Sequence, residues 1–343
     1  MIKDKILFGK RAESFTLQWH LTNACDLRCS HCYDRSSRKI LSLPEALQVL
    51  DQMDRFCAAK KVKKNICLTG GNPFYYPHFF ELYSEIKNRG AAISILGNPV
   101  SESMIDRMLD IQSPTYFQVS LEGLKVHNDQ IRGRGHFERT IQFLALLRKK
   151  AIRAHVMLTL TDQNIDQVIE LGEYLKDKAD RFTFNRLAQS GSGATLQLPQ
   201  KTRYISFLKD YTKASRTNRV LTFKDGLFNI FRYHYRRPKT HGCTGHGCGA
   251  AFNFVALLPD GEIHACRKFE SPLGRVQDST LTQIYENELS KQYRKGCSDC
   301  SFCPLKKVCG GCMAVVHGHG LDIFKTRDPY CFMRDRKEVC AEF

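Results

Sequence analysis

The sequence contains no apolar run close to the ~20 residues that a membrane-spanning helix needs. Its first residues, MIKDKILFGKRAES, also lack the apolar stretch of a secretory signal peptide. Internal repeats and low-complexity tracts are absent as well. We therefore expect no membrane partner and a cytoplasmic location, where thiols stay reduced.

Acidic residues are few relative to basic ones, with 35 Asp and Glu against 52 Lys and Arg, which gives a net charge of +17. A balance of this kind attracts polyanions, acidic peptides or anionic surfaces. Hydrophobic residues make up 42% of the 343 positions. That content excludes a disordered chain and is enough for at least one full-sized core, while the length suggests about two domains.

Cysteine is missing from residues 68–242, although the chain has fifteen. Five cysteines precede this gap and ten follow it. In a reducing compartment, clustered thiols bind metal more often than they form disulfides. The distribution predicts a cysteine-poor body with one metal site near its start, followed by a cysteine-dense C-terminal module.

The body alternates between strand-like and helix-like segments. Helix-like segments with an apolar spacing of about 3.6 residues separate most of the strands. Strands joined by helical crossovers form a parallel sheet, so we expect an α/β fold, open or curled into a partial barrel. Ligands of such sheets bind at the carboxyl ends of the strands. The predicted strands are 15–21, 65–70, 92–98, 115–123, 153–160 and 181–187.

The first cysteine cluster has the spacing C-x3-C-x2-C and follows the first predicted strand directly. Its members are Cys25, Cys29 and Cys32. Three thiolates can hold three irons of a 4Fe–4S cluster and leave the fourth iron open to a small molecule. The alternatives are a zinc knuckle that lacks one ligand, or thiols with no shared role.

This motif resembles the signature of the radical S-adenosylmethionine (SAM) enzymes, whose fold is a partial (β/α)6 TIM-type barrel. The resemblance implies that the segment after the second strand, LTGGNP, holds the methionine amino group through Gly70, Gly71 and Asn72. The family usually has glutamate at the position of Asn72. Asparagine keeps a hydrogen-bond acceptor there but loses the charge.

Other SAM contacts are implied by the same resemblance. Ser120 and Arg132 are expected to bind the methionine carboxylate, although Arg132 also fits a surface arginine in a glycine-rich turn. Asn98 is expected near the nucleoside. His31 and Tyr33, which flank the third cysteine, are expected to complete the SAM site.

The C-terminal cysteines include a C-x2-C-x5-C-x2-C run. A zinc ribbon that binds nucleic acid is one interpretation. It is disfavoured because five residues between the pairs is short and because other cysteines would be left unused. The run comprises Cys300, Cys303, Cys309 and Cys312; Cys243, Cys248 and Cys266 precede it, and Cys331 follows.

This pattern is similar to the SPASM extension of radical SAM enzymes, which binds two auxiliary 4Fe–4S clusters. The family more often has three residues where this chain has two, between Cys309 and Cys312. With the first cluster, the resemblance implies three 4Fe–4S clusters and SAM. The implied ligands are Cys243, Cys248, Cys266 and Cys312 for one auxiliary cluster, and Cys300, Cys303, Cys309 and Cys331 for the other.

The predicted organisation is a radical SAM barrel over residues 14–190, a basic bridging segment over 191–240 and a SPASM domain over 241–343. Cys57 and Cys67 lie in a helix and a strand, where a structural role is expected. Cys297 and Cys340 have a structural role or serve as spare ligands or hydrogen-donating thiols.

The resemblance implies an enzyme that uses a 5′-deoxyadenosyl radical and takes its electron from a flavodoxin- or ferredoxin-type protein. Because the SPASM extension is typical of peptide-modifying enzymes, we predict a maturase that forms a thioether or another crosslink in a ribosomally synthesised precursor peptide. Only 24 residues precede Cys25. Leader recognition is therefore expected from a separate protein or from the basic segment 231–239.

Three alternatives remain at this point. A sulfatase-type maturase, which forms formylglycine, generally has aspartate directly after the cysteine that matches Cys266, and Arg267 stands there instead. A peptide epimerase needs a thiol donor, for which Cys297 or Cys340 is available. A zinc or iron–sulfur protein that binds nucleic acid, a partner that we do not favour, would cleave no SAM and would bind in a salt-dependent manner.

Overall fold

The computed structural model describes residues 12–235 and 247–333. Cys243, Cys340 and residues 236–239 of the predicted basic segment lie outside the described residues.

Six parallel strands form the first part of one continuous sheet. Each pairs with the next strand along the chain, as helical crossovers require. The predicted α/β fold is confirmed, and every predicted strand lies within three residues of the observed bounds. These are β1 Ser14–Thr22, β2 Lys63–Gly70, β3 Ala92–Leu96, β4 Phe117–Ser120, β5 Ala154–Leu160 and β6 Arg181–Arg186.

Helices connect these strands and cover one face of the sheet. The first begins with a capping box, in which the Ser42 side chain accepts from the Glu45 backbone and the Glu45 side chain accepts from the Ser42 backbone. The helices are α1 Leu43–Lys60, α2 Phe79–Asn88, α3 Glu102–Ile111, α4 Lys125–Arg132, α5 His136–Lys149 and α6 Val168–Tyr174.

The segment after β6 packs against the barrel. It contains α7 Lys201–Ala214 and α8 Phe228–His234. Tyr204 and Tyr211 of α7 are fully buried, and the Phe182 backbone N–H on β6 donates to the Val220 carbonyl at 2.7 Å. Phe231, in the segment predicted to bind a leader, is a buried core residue whose ring lies 4.9 Å from that of Phe332.

The C-terminal module extends the same sheet across the predicted boundary at residue 241. β7 pairs in parallel with β1, and β8 and β9 follow as antiparallel strands. This arrangement covers the edge of β1, whose backbone groups would otherwise be unpaired. The elements are β7 Phe254–Leu257, β8 Glu262–His264, β9 Pro272–Arg275, α9 Leu281–Glu286, α10 Glu288–Lys295 and α11 Met313–Gly318.

The two faces of β1 show how the sheet separates core from site. Leu17 and Trp19 are buried in the hydrophobic core. Gln18 and His20 alternate with them and so point to the opposite face.

No helix among residues 12–235 and 247–333 is long and apolar enough to cross a membrane.

Candidate active site

The three-cysteine loop follows the carboxyl end of β1. Cys25 is exposed, while Cys29 and Cys32 are half-buried, and none of them forms a disulfide. The loop is fixed to α4 by a hydrogen bond from the Ser30 N–H to the Ile131 carbonyl at 3.0 Å. Burial raises the pKa of Cys25 and of Cys29, and the charge of neighbouring sulfurs adds to the effect. Three adjacent soft thiols form a donor set that fits an iron–sulfur cluster.

A glycine pair brings the end of β2 into close contact with this loop. A Cβ atom on Gly70 would lie 2.2 Å from the Thr22 carbonyl oxygen, and one on Gly71 would lie 2.2 Å from the Ala24 oxygen. Backbone hydrogen bonds of 2.8 Å join Gly71 to Thr22 and Asn72 to Ala24. Only glycine permits this approach, which holds the GGN segment beside the cysteines.

Asn72 and Asn98 both donate to Asp26, inside the three-cysteine loop. The Asn72 Nδ2 lies 3.1 Å and the Asn98 Nδ2 2.7 Å from the Asp26 Oδ1. Asn98 Nδ2 also lies 3.4 Å from the Cys25 Sγ. The two amides are buried, with 3% and 7% of their surface exposed, whereas Asp26 is exposed. Sequence reasoning selected both asparagines but missed Asp26.

Glu122, two residues beyond β4, joins two other predicted SAM contacts. Its Oε1 accepts from the Arg132 Nε at 2.9 Å and lies 3.1 Å from the His31 Nε2. Its Oε2 accepts from the Thr159 N–H at 2.7 Å. Burial would raise the pKa of Glu122, but His31 and Arg132 hold it well below its usual range.

Arg132 is not a surface arginine, because its side chain is only 11% exposed. Its Nη1 lies 3.7 Å from the Cys29 Sγ. The buried Nδ1 of His31 has no hydrogen-bond partner among the described residues. An orphaned buried nitrogen beside three thiols fits a bound polar cofactor such as SAM.

The remaining predicted SAM contacts lie at the same edge. Ser120 is the last residue of β4 and is half-buried. Tyr33 is 39% exposed, and its ring lies 5.2 Å from the Arg267 guanidinium. Arg267 in turn forms an ion pair with Asp34, so Tyr33 lies at the junction with the C-terminal module.

The four cysteines predicted to bind the second auxiliary cluster lie close together. A hydrogen bond to Cys297 and burial raise the pKa of Cys300, and the charges of Cys303 and Cys309 add to the effect. Burial raises the pKa of Cys331, and the charge of Cys303 adds to it. Cys331 also contributes to the raised pKa of Cys309, for which burial is the main cause. The structure therefore brings together thiols that are up to 31 positions apart in the sequence.

Cys297 is a fifth thiol beside this group. A hydrogen bond between the Cys297 and Cys300 side chains lowers the pKa of Cys297 and raises that of Cys300. Cys297 is buried, and its carbonyl accepts from the Cys300 N–H at 3.3 Å. Its position next to a predicted ligand distinguishes it from Cys57 and Cys67. Burial raises the pKa of Cys57 to about 12 and that of Cys67 to about 11, as expected of packed thiols.

The first auxiliary set is only partly described, because Cys243 lies outside the described residues. The Cys248 N–H donates to the Cys309 carbonyl at 3.0 Å, so Cys248 borders the second set. The Cys312 N–H donates to the Asp328 Oδ2 at 2.9 Å. Cys266 follows β8 and precedes Arg267. The ion pair between Arg267 and Asp34 places Cys266 near the three-cysteine loop.

A buried ion-pair network links the end of β6 to the cysteine module. The Arg186 Nε donates to the Asp225 Oδ2 at 2.7 Å, and its Nη1 donates to the Asp328 Oδ1 at 2.9 Å. Arg186 and Asp328 are each 1% exposed at the side chain. Sequence reasoning missed this network because its members are far apart and belong to no motif.

In the described part of the chain, no three His, Cys, Asp or Glu side chains converge closely enough to hold a single metal ion. A 4Fe–4S cluster is bound differently, with one thiolate on each ligated iron.

Comparison with known proteins agrees with this arrangement. The family model of the radical SAM superfamily matches residues 19–175, and that of the SPASM iron–sulfur cluster-binding domain matches residues 248–313. The AdoMet-dependent heme synthase of Methanosarcina barkeri (strain Fusaro / DSM 804) is 25% identical over 94% of this chain and 97% of its own length. The mycofactocin maturase MftC of Mycolicibacterium smegmatis is 26% identical over 92% of this chain and 82% of its own.

Among solved structures, Streptococcus suis SuiB bound to its precursor peptide SuiA has a TM-score of 0.70 and 19% identity. The match covers 94% of this chain and 76% of SuiB. The chain belongs to the radical SAM superfamily and carries a SPASM domain, and it is a radical SAM enzyme. Its cofactors are SAM and iron–sulfur clusters.

Proposed function

We propose that this enzyme is a maturase that modifies a ribosomally synthesised precursor peptide, forming a thioether or another crosslink. The observation that carries the proposal is the junction between the three-cysteine loop and the SPASM cysteines. There Arg267, next to Cys266, is ion-paired with Asp34, two residues after Cys32. One substrate bound at this junction can face both cluster sites.

Two relatives support a peptide substrate. MftC is named as a maturase, and SuiB is similar in fold and was solved with a precursor peptide bound. The net charge of +17 favours an acidic peptide over a neutral metabolite. Within the segment 231–239 that is predicted to bind a leader, Phe231 is a buried core residue, whereas Tyr233 and Tyr235 are exposed. Leader recognition by this segment and leader recognition by a separate protein are both part of the proposal.

The proposed cofactor set is three 4Fe–4S clusters and SAM. Cys25, Cys29 and Cys32 would hold the SAM-binding cluster, and the two SPASM sets would hold the auxiliary clusters. When bound, the first cluster and SAM supply a radical able to abstract hydrogen from an unactivated carbon. The chain contributes the residues that orient SAM: Gly70, Gly71, Asn72 and Asn98 on one side, and His31, Ser120 and Arg132 on the other. Tyr33 would close the site toward Arg267.

The test is anaerobic reconstitution followed by assay with a candidate peptide. We expect about twelve irons per chain, formation of 5′-deoxyadenosine on reduction, and a mass change in a peptide encoded by a neighbouring reading frame. A Cys29→Ala variant should form no 5′-deoxyadenosine, whereas a Cys57→Ala variant should remain active. Full activity of the Cys29→Ala protein would contradict the proposal.

A second candidate function is modification of an iron tetrapyrrole. It is favoured by the similarity to the AdoMet-dependent heme synthase, which extends over 97% of that protein. The same reconstituted enzyme, incubated with an iron porphyrin that carries propionate groups, separates the two candidates. A mass loss in the porphyrin with no change in the peptide would replace the maturase proposal, whereas the opposite result would support it.

A further inference from the structure

We propose that the Asp26 carboxylate binds the ammonium group of SAM and so supplies the negative charge that Asn72 lacks. This inference rests on the proposed SAM site at the three-cysteine loop. Asp26 lies between the motif residues Cys25 and Cys29. Its carboxylate is therefore on the three-cysteine loop, whereas the glutamate that is usual in the family would lie after β2, at the position of Asn72.

The Asp26 side chain is held in place by buried groups. Asn72 Nδ2 and Asn98 Nδ2 both donate to its Oδ1, at 3.1 and 2.7 Å. Asn72 is fixed in turn because its Oδ1 accepts from the Phe74 N–H at 3.3 Å. Two buried amides therefore orient a carboxylate whose other oxygen remains available, at no cost of reorganisation when a ligand binds.

Within residues 12–235 and 247–333, no cationic side chain forms an ion pair with Asp26. Most carboxylates around the site have cationic partners, as Glu122 has Arg132 and Asp34 has Arg267. For Asp26, the contacts in the described residues are the two amides, and no ion pair is formed. An oriented carboxylate with neutral donors on one oxygen is suited to a cationic ligand.

The position of Asp26 matches the amino-acid end of SAM, which carries the ammonium group. Asn98 Nδ2 contacts both the Asp26 Oδ1 and the Cys25 Sγ, so the carboxylate lies immediately beside a predicted cluster ligand. Cys25, Cys29 and Cys32 would hold the cluster, and Asp26 on the same loop would hold the amino-acid end of SAM. The structure also explains Asn72, because a glutamate there would put a second carboxylate against Asp26 and cost free energy through like-charge repulsion.

The experiment measures ligand binding to the reconstituted, oxidised enzyme by equilibrium dialysis. For Asp26→Asn we expect the Kd for SAM to rise about tenfold or more, since hydrogen bonds to charged groups are worth more than neutral ones. Binding of 5′-methylthioadenosine, which lacks both the amino-acid end and the sulfonium, should change less than twofold. Binding of S-adenosylhomocysteine, which keeps the ammonium group without the sulfonium, should weaken as SAM binding does. Asn72→Asp should also weaken SAM binding, because two carboxylates would then face each other.

The exchanged double variant Asp26→Asn/Asn72→Asp restores a single carboxylate between the same residues, so it should recover much of the lost affinity. Asp106→Asn, at a half-exposed ion pair on α3, is the matched control and should bind SAM like the unmodified enzyme. Unchanged SAM binding by Asp26→Asn would overturn the inference, as would an equal loss of SAM and methylthioadenosine. If the unmodified enzyme bound no SAM, the proposed function itself would fail.

Discussion

Arg267 forms an ion pair with Asp34 and so connects the loop of Cys266 to the loop of Cys32. Both side chains are largely buried, at 10% and 11% exposed. Burial would raise the pKa of Asp34, but hydrogen bonds from Ser36 and the charge of Arg267 lower it to about 2. Arg267, which stands where a sulfatase-type maturase generally has aspartate, therefore connects the loop of Cys266 to the three-cysteine loop.

Removal of this pair should destabilise the junction. In Arg267→Ala, Asp34 keeps Ser36, the Asn23 amide at 3.1 Å and the more distant Arg38 at 3.6 Å. We therefore expect a loss of about 1–3 kcal/mol in the free energy of unfolding, the usual cost of leaving a buried charged group underpaired. Urea unfolding of the anaerobic holoprotein measures it. Arg203→Ala, which breaks an exposed pair with Asp166, should cost at most about 1 kcal/mol. Equal losses in the two variants would refute the special role of the junction.

Glu122→Gln should be more damaging, because it leaves Arg132 buried without its counter-charge. Breaking one side of a buried ion pair costs about 3–5 kcal/mol, and the change should also weaken SAM binding. The matched control is Glu138→Gln, whose pair with Lys125 is exposed at 51% and 60%. Thermal or urea unfolding, together with SAM dialysis, checks both effects. A Glu122→Gln protein as stable as Glu138→Gln would show that Arg132 needs no counter-charge.

His136 should make stability depend on pH between about 6.5 and 4. Burial and the nearby Arg132 lower its pKa to about 4, and its Nδ1 faces the Asn128 amide at 3.1 Å. In the unfolded protein His136 is protonated below about pH 6.5, whereas in the folded protein it stays neutral down to about pH 4. Its contribution to the free energy of unfolding is therefore fully present above about pH 6.5. It is lost as the pH falls, by at most about 1.4 kcal/mol per pH unit.

The comparison for this prediction is His136→Gln, measured by urea unfolding at pH 7.5 and 5. The difference in the free energy of unfolding between the unmodified protein and His136→Gln should shrink or reverse at the lower pH. His155, whose pKa burial also lowers to about 4, is present in both proteins and cancels. A constant difference across this range would show that His136 titrates normally.

The auxiliary cysteines give a prediction about iron content. Cys303→Ala should lose about four of twelve irons and the corresponding electron paramagnetic resonance signal, since a 4Fe–4S cluster needs its thiolate ligands. Cys57→Ala should lose none, because Cys57 is buried in α1 beside Met53. Cys297→Ala should keep its iron but alter the signal, because its hydrogen bond to Cys300 is removed. Retention of full iron content in Cys303→Ala would exclude it as a ligand.

The sequence predicted the parts of this protein that have local signals. Apolar periodicity located the six parallel strands, because a buried strand or a helix face needs a regular repeat of apolar residues. Cysteine spacing located the metal-binding segments, since short spacing lets one loop supply several ligands. The resemblance to radical SAM enzymes and their SPASM extension followed from these motifs and is confirmed.

Contacts between distant segments could not be predicted in this way. No local pattern marks Glu122 as the partner of Arg132 and His31, or Asp26 as the acceptor for Asn72 and Asn98. Likewise, nothing in the C-terminal sequence indicated that β7 would continue the sheet beside β1.

What the sequence determined by itself was the class of chemistry, because thiol spacing and strand periodicity are properties of short segments. Only the tertiary structure decided how the charges are paired and which carboxylate stays unpaired, because those energies depend on burial and on groups far apart in the chain. Asp34 and Asp26 lie eight residues apart in one loop, yet in the described part of the chain folding pairs the first with an arginine and the second with two amides.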